Sequence, residues 1–473
     1  MSNILLQRIG DLLPQRFKAQ GLPLIAKIDQ LVSDKGEESA SKRMALFVFA
    51  IRVASAIIAF VSQVLLARWM GSFEYGIFVA VWALLIILAT LVSFGMQTAA
   101  IRFVARYREQ KKPAHLWGMV RGSLGITAAS SFLVGFAIFI FFYFFETPLQ
   151  EYYRVPIMLA TLCLPVLALT GVLDGIGRPF NWSFLSFLPT YIYRPVGILL
   201  IMAFALMFGA SSTAITAMLA AVLATYIVGI AHYLRLQTKL EKSLPVVEPR
   251  YKLKTWFFVA LPIFLVESFY VLLTSVDVIF VSVMMRPEDT AVYYASTKIL
   301  ALVHFVYFAV RAAASHRYSA YYATGDLEGL RTYVGKSVTW TFWPSLLLGL
   351  VMILTGEYFL YLFGAEFVSG VSFLYILVIG IVIRSSVGPA ESLLVMTNNQ
   401  KSCAWVYVLA LFVNVTLKLS LIPIFGLKGA ALATAIALVF ESAALYTLIK
   451  KKLDVHAFII PAKGRNDVAG EAA

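Results

Sequence analysis

The sequence predicts an all-α integral membrane protein with about twelve transmembrane helices in two parallel six-helix lobes around a central cavity. Three observations carry this prediction. The 473 residues are 60% hydrophobic and only 14% charged, whereas a soluble domain averages about 25% charged. Stretches long and apolar enough to cross a bilayer recur along the whole chain. Outside those stretches, lysine and arginine concentrate in the two tails and on alternate connections. A water-soluble core cannot absorb so much apolar sequence, because the surplus would face solvent as sticky patches. The composition therefore excludes a soluble enzyme, a nucleic-acid-binding protein and a disordered chain. The net charge of +14 belongs to loops on one membrane face, not to a nucleic-acid partner. Cys163 and Cys403 lie in or beside apolar segments and give no disulfide framework.

Residues 1–43 are mixed and charged and are predicted to form a cytoplasmic N-terminal tail. No cleavable signal peptide is visible. Within the tail, Leu5, Leu6, Ile9, Leu12 and Leu13 share one helical side, so this stretch either lies on the membrane surface or is solvated. A bilayer-crossing helix needs about 20 mostly apolar residues. The stretches that qualify are 44–66, 76–97, 119–144, 155–176, 183–208 and 213–234 in the first half. In the second half they are 255–283, 291–315, 334–355, 371–394, 402–424 and 428–449. The predicted organisation is an N-lobe over 44–235, a basic linker over 236–254 with Pro245 and Pro249, a C-lobe over 255–450, and a C-terminal tail over 451–473.

With the N-terminus placed in the cytoplasm, the tails and alternate loops on that side hold 28 Lys and Arg. The opposite side holds only Arg68, Arg154, Arg286 and Lys428. This split follows the positive-inside rule, puts both termini in the cytoplasm and supports an even number of spans.

Internal similarity points to a duplication. The run MGSFEYGIFVAVWALL from Met70 answers MRPEDTAVYYASTKIL from Met285. In both, an acid precedes a small residue and an aromatic: Glu74, Gly76 and Phe78 against Asp289, Ala291 and Tyr293. Further pairs start at Leu116 and Leu330, and at Gly209 and Gly426, at nearly constant offset. Six spans per copy give both copies the same orientation, an arrangement that suits rocking of two lobes about a central site. Gly71 and Gly76 are expected to permit the turn between the first two spans, and Glu74 to complement the start of the second helix.

The run Ser62–Ala105 carries a first span ending in LAR-x-x-G, the acid-Tyr-Gly of Glu74, Tyr75 and Gly76, and FG-x-x-x-A-x-x-R-F from Phe94 to Phe103. It resembles the polysaccharide-biosynthesis flippases of the Wzx, or O-antigen and exopolysaccharide, type. These belong to the multidrug/oligosaccharidyl-lipid/polysaccharide exporter superfamily. The resemblance covers the whole chain in topology and mainly the first three spans in sequence. It implies export of an undecaprenyl-pyrophosphate-linked oligosaccharide across a bacterial inner membrane. Membrane lipids, a polysaccharide polymerase and a chain-length regulator are its implied partners. The long N-terminal tail departs from the family pattern.

Ionisable groups inside spans cost at least about 2.5–3.5 kcal/mol at mid-bilayer and so need a partner or a wet cavity. Arg121, at a span end, reads as snorkelling, and Arg311 is ambiguous. Arg52 is too deep for that. It shares a helical stripe with Ser55 and Gln63, and either lines a cavity and binds an anionic headgroup or pairs with a carboxylate. Arg194 lies between Pro189 and Pro195-flanked turns beside Tyr191 and Tyr193, and forms either a sugar- or pyrophosphate-binding wall or a kink bound to freed carbonyls. Arg384 and Glu391 share a face of the tenth span, roughly 10 Å apart along the axis at 1.5 Å per residue, and are not expected to pair directly. Gly388 and Pro389 interrupt that helix. Lys298 lies in the outer third of the eighth span, where His304 is central. Lys418 has Asn414 one turn earlier and Glu441 as its expected partner. The acids Glu267, Asp277, Glu391 and Glu441 could balance these bases or carry coupling ions.

An excess of buried bases over acids favours an anionic substrate. The substrate-binding candidates are therefore Arg52, Arg194, Arg384, Lys298, Gln63, Tyr191 and Tyr193. The coupling or charge-balancing candidates are Glu267, Asp277, Glu391, Glu441 and His304. A multidrug exporter of the same fold would prefer acids in the cavity. A membrane-embedded polymerase or ligase would present a large outward loop or a carboxylate-rich one, and the outward loops here are short. No cofactor, metal site or catalytic residue is expected.

Overall fold

The computed structural model describes residues 37–145 and 151–460, and is nearly all helix over that range. Two compact units divide the chain, Met1–Ala59 and Phe60–Ala473. The tail stretch of residues 4–13 lies outside the described residues. The helices are α1 (Glu37–Val92), α2 (Met96–Glu109), α3 (Pro113–Phe144), α4 (Glu151–Gly177), α5 (Ser183–Leu188), α6 (Arg194–Met207) and α7 (Ala214–Ser243), followed by α8 (Leu253–Met284), α9 (Pro287–Thr324), α10 (Leu327–Tyr361), α11 (Val371–Ser385), α12 (Ala390–Met396), α13 (Gln400–Phe425) and α14 (Leu427–Leu453).

Ten described segments are long and apolar enough to cross a membrane. One of them, Val53–Val92, is two helices, because Gly71 takes φ 72° and ψ 168° and bends α1. That positive φ is open to glycine without a Cβ penalty. The 32-residue α8 adds a further apolar helix. The predicted second span ran on to residue 97, but Phe94 (φ 46°) and Gly95 (φ 69°) form a turn that starts α2. The tenth span is likewise two pieces, α11 and α12.

Gly76 plays a different part from the one predicted. It is not in the turn. A Cβ there would lie 1.8 Å from the Pro287 carbonyl oxygen, so its role is close backbone approach between the starts of duplicated helices. Glu74 accepts a 2.7 Å hydrogen bond from the backbone N–H of Ala214, and so caps the start of α7 rather than acting only on its own helix. The predicted linker begins while α7 is still helical, with Leu236 and Leu240 continuing its buried face to Ser243. Beyond it, the Arg250 N–H donates to the Ala114 carbonyl at 2.8 Å. The Trp117 indole donates to the Pro245 carbonyl at 3.0 Å.

The apolar core is distributed unevenly along the helices. Toward the end that holds the Gly71 bend, one continuous core holds Leu66, Tyr75 and Ala214 from the first half with Val281, Ala291, Leu360 and Phe367 from the second. Around the basic loops there are two separate cores. One contains Tyr107, Trp117, Ile176, Leu240 and Trp256. The other contains Tyr318, Leu330, Leu394, Cys403 and Ile449. Helix α8 starts in the first of these, where Trp256 donates from its indole to the Tyr107 hydroxyl at 3.0 Å. It ends against second-half helices.

Candidate functional site

Three polar clusters are buried among the helices. The first surrounds the break between α11 and α12. Pro389 has no N–H to continue a helix, and Gly388 adopts φ 59° with its Cα side held close to Val338. An intact helix would keep residues 384 and 391 about 10 Å apart. The break removes that spacing, and an Arg384 guanidinium nitrogen lies 3.8 Å from Glu391 Oε2. The expectation that these two do not pair is therefore corrected.

Arg384 also donates from Nε (3.2 Å) and Nη2 (2.9 Å) to Glu441 Oε1. Glu441 thus belongs to Arg384 and not to Lys418, a second correction. Arg384 lies over the Tyr307 ring, 4.5 Å from its centroid. From the other side, Arg311 Nη1 stands 3.6 Å from Glu391 Oε1, with its side chain 40% exposed. The carboxylate of Glu391 therefore sits between two guanidinium groups. It accepts no hydrogen bond on either oxygen within the protein. Nearby, the hydroxyls of Ser315 and Ser392 are hydrogen-bonded at 2.7 Å.

The second cluster ties α8 to α13 and α14. The Lys418 ammonium lies 2.6 Å from Asp277 Oδ1, and both side chains are buried. Lys418 also donates to Asn414 Oδ1, and to Thr434 Oγ1 at 3.1 Å. Asp277 Oδ2 accepts from Thr434 at 2.8 Å and from the Tyr293 hydroxyl at 3.2 Å. The one-turn relation of Asn414 and Lys418 was legible from the sequence. The identity of the carboxylate partner was not.

The third cluster lies in the first half. A five-residue π-helical turn, Pro189–Tyr193, separates α5 from α6. Such turns displace backbone carbonyls and aim side chains differently from an α-helix. Arg194 is buried and donates from Nη2 to Thr170 Oγ1 at 2.7 Å. Thr190 donates to Asp174 Oδ2 at 2.9 Å. His232 Nδ1 lies 3.9 Å from Asp174 Oδ1. Sequence reasoning missed Asp174 and His232. Asp174 was readable as an acid inside the predicted fourth span.

The other predicted residues are placed separately. Tyr191 and Tyr193 are more than a third exposed, while Arg194 between their turns is buried. Gln63 accepts from the Tyr75 hydroxyl at 2.9 Å. The Lys298 ammonium lies 4.3 Å from the Tyr294 ring centroid. His304 packs on the rings of Tyr307 and Phe308. The side chains of Arg52 and Glu267 lie outside the described residues.

The charge balance also differs from expectation. Among the described residues, Arg194, Arg311, Arg384 and Lys418 stand with Asp174, Glu391, Glu441 and Asp277. Removing two charges from water costs several kcal/mol per ion, and a close opposite charge offsets that cost. Arg121 and Lys298, beyond these groups, lie over the rings of Trp117 and Tyr294. Arg311 is the base of the first cluster that is also substantially exposed.

A family model described as polysaccharide biosynthesis protein matches residues 41–315, and the MatE model matches residues 262–419. A search of curated proteins finds no match. Among solved structures, an inward-facing multidrug resistance MATE family transporter of the MOP superfamily is similar at TM-score 0.67 and 15% identity, covering 85% of this chain and 94% of that chain. The lipid II flippase MurJ, in an inward closed conformation, is similar at TM-score 0.67 and 14% identity, covering 86% of this chain and 87% of that one. A MOP superfamily transporter from Pyrococcus furiosus, described with a binding pocket of reverse polarity, is similar at TM-score 0.60 and 16% identity over 90% of this chain and 97% of that chain. At these identities the likeness shows the fold alone, the two-lobed fold shared by MATE transporters and MurJ.

Proposed function

The chain belongs to the polysaccharide biosynthesis protein family, whose model covers residues 41–315, and from this premise we propose that it translocates lipid-linked oligosaccharide units across a bacterial inner membrane. The cargo is an undecaprenyl-pyrophosphate-linked repeat unit destined for exopolysaccharide, capsule or O-antigen. The polyprenyl tail stays in lipid while the head passes between the lobes. Movement of this kind forms and breaks no covalent bond, so the protein acts as a transporter and not as an enzyme. Both termini face the cytoplasm. A polysaccharide polymerase and a chain-length regulator are the proposed downstream partners.

The observation that carries the reading is the 40% exposed Arg311 guanidinium at the edge of the buried Arg384, Glu391 and Glu441 cluster. Its planar fork can pair with oxygens of an anionic headgroup. A pyrophosphate presents several such oxygens and a charge opposite to that of Arg311. The separate cores at the basic end and the shared core at the other favour a cavity that opens toward the cytoplasm. Arg52, Arg194, Lys298, Gln63, Tyr191 and Tyr193 are proposed as further contacts along the cargo's path. Glu267, Asp277, Glu391, Glu441 and His304 are proposed to balance charge or couple transport to an ion gradient.

Complementation of a bacterial strain lacking its own polysaccharide flippase tests the reading. Wild type, Arg311→Ala, Arg52→Ala and Arg194→Ala are compared at matched membrane abundance. Wild type is expected to restore surface polysaccharide. Arg311→Ala is expected to lose it while lipid-linked intermediate accumulates inside. Full complementation by Arg311→Ala removes the anion-position argument.

The MatE match over residues 262–419 favours a second reading, export of small organic molecules by the same fold. That reading predicts raised drug resistance on expression with no change in surface polysaccharide.

A further inference from the structure

We propose that Arg68 is an interlobe latch, its guanidinium capping the C-terminus of α10 and holding the end of the molecule opposite the basic loops shut. The last carbonyls of a helix have no partner within it and carry partial negative charge. Helix α10 has no basic residue in its own last turn. Arg68, near the Gly71 bend of α1, supplies one from the other half of the duplication. Its Nε donates to the Leu362 carbonyl at 2.7 Å and its Nη2 to the Tyr361 carbonyl at 2.6 Å. The planar fork of arginine meets two successive carbonyls in a fixed geometry, whereas a lysine ammonium is a compact point charge with freely rotating donors. The same guanidinium lies 5.6 Å from the Tyr361 ring centroid. The LAR-x-x-G motif thus acquires a joint meaning, since Gly71 turns the chain and Arg68 reaches across.

The latch crowns a seam built largely of apolar and aromatic contacts. Beneath it the Phe60 ring packs on Phe359 and Phe363. Tyr75 packs edge-on to Tyr294 and Phe367. Gly76 meets the Pro287 carbonyl with no room for a Cβ. Apolar faces separate without directional bonds to break, whereas the guanidinium holds two carbonyls in fixed geometry. Releasing Arg68 is therefore the step that frees the seam. The latch rests on the transporter reading above for the direction the seam faces.

Ala291 provides a reporter. It is fully buried and lies one turn beyond Pro287 on the same helical face. Ala291→Cys is placed in a Cys163→Ala/Cys403→Ala background. Labelling by a membrane-impermeant maleimide is followed on intact cells at matched abundance. Adding Arg68→Gln is expected to speed labelling about tenfold, as loss of a charge-assisted hydrogen-bond pair shifts the population toward the open seam. Arg68→Lys, which keeps the charge but not the fork, is expected to give an intermediate rate. Gly76→Ala, which forces a Cβ against Pro287, is expected to speed labelling by wedging. Acceleration by Gly76→Ala with none by Arg68→Gln would overturn the latch, because the seam then opens without regard to the guanidinium. Unchanged labelling in both variants also overturns it. Acceleration by Arg68→Gln seen only in permeabilised cells supports the latch and overturns the orientation proposed above. None of these readouts needs the cargo, so failure of the cargo assignment is scored separately by complementation.

Discussion

Replacing Lys418 by methionine leaves Asp277 as a buried charge without its ammonium. Lys418 is fully buried, and its contact with Asp277 Oδ1 is 2.6 Å. Removing one partner of a buried ion pair costs about 3–5 kcal/mol, most of it the desolvation of the charge left behind. Asp277 keeps hydrogen bonds from Thr434 at 2.8 Å and Tyr293 at 3.2 Å. These place the expected loss at the lower edge, about 3 kcal/mol. The double variant Lys418→Met/Asp277→Leu removes both charges and roughly conserves volume, so its expected loss is only about 1 kcal/mol. The two values together require an interaction energy of at least about 2 kcal/mol between the positions. Unfolding of the purified protein by SDS titration from mild detergent, read by helical circular dichroism, measures all members of the cycle. A Lys418→Met loss below about 1 kcal/mol, or a double variant no more stable than the single, would refute the argument from desolvation.

Arg384→Met is expected to lower membrane abundance severely, because it removes the guanidinium between two buried acids and leaves Arg311 alone to face Glu391 and Glu441. Arg384→Met/Glu441→Leu should recover abundance on immunoblots without restoring polysaccharide export. Gly388→Ala forces a side chain at φ 59° and about 3.0 Å from Val338. It should cost more than about 1 kcal/mol in the same SDS titration. Glu74→Ala removes the cap on the Ala214 N–H at the start of α7. A loss of about 0.5–2 kcal/mol is expected, and Glu74→Gln should restore part of it by keeping an acceptor.

Much of the architecture is legible in the sequence because bilayer length and loop charge are local signals. The apolar runs mark the spans, and the 28-against-4 distribution of basic residues marks their alternation. The duplication is also local in its evidence, since Glu74 and Asp289 both stand at the starts of helices just after a turn. The helix interruption around Gly388 and Pro389 was visible for the same reason, as these residue types break helices wherever they stand. Asp174 went unread although it lies inside a predicted span, and with it went the correct balance of charge in the first half. Gly76 was assigned to a turn because glycine signals both turns and close approach, and only Pro287 across the seam distinguishes them.

The sequence by itself determined that this chain crosses a membrane many times, in two similar halves, with bases and acids inside the spans. Each of those properties follows from residue type and spacing along one helix. Only the tertiary structure decided who meets whom. Glu441 went to Arg384 and Asp277 to Lys418 because side chains on different helices pair according to helix packing and depth, which sequence separation does not encode. Arg384 and Glu391 meet because a broken helix no longer obeys a rise of 1.5 Å per residue. Arg68 reaches Tyr361 and Leu362, nearly three hundred positions away, because an unsatisfied helix end attracts any donor the fold brings to it.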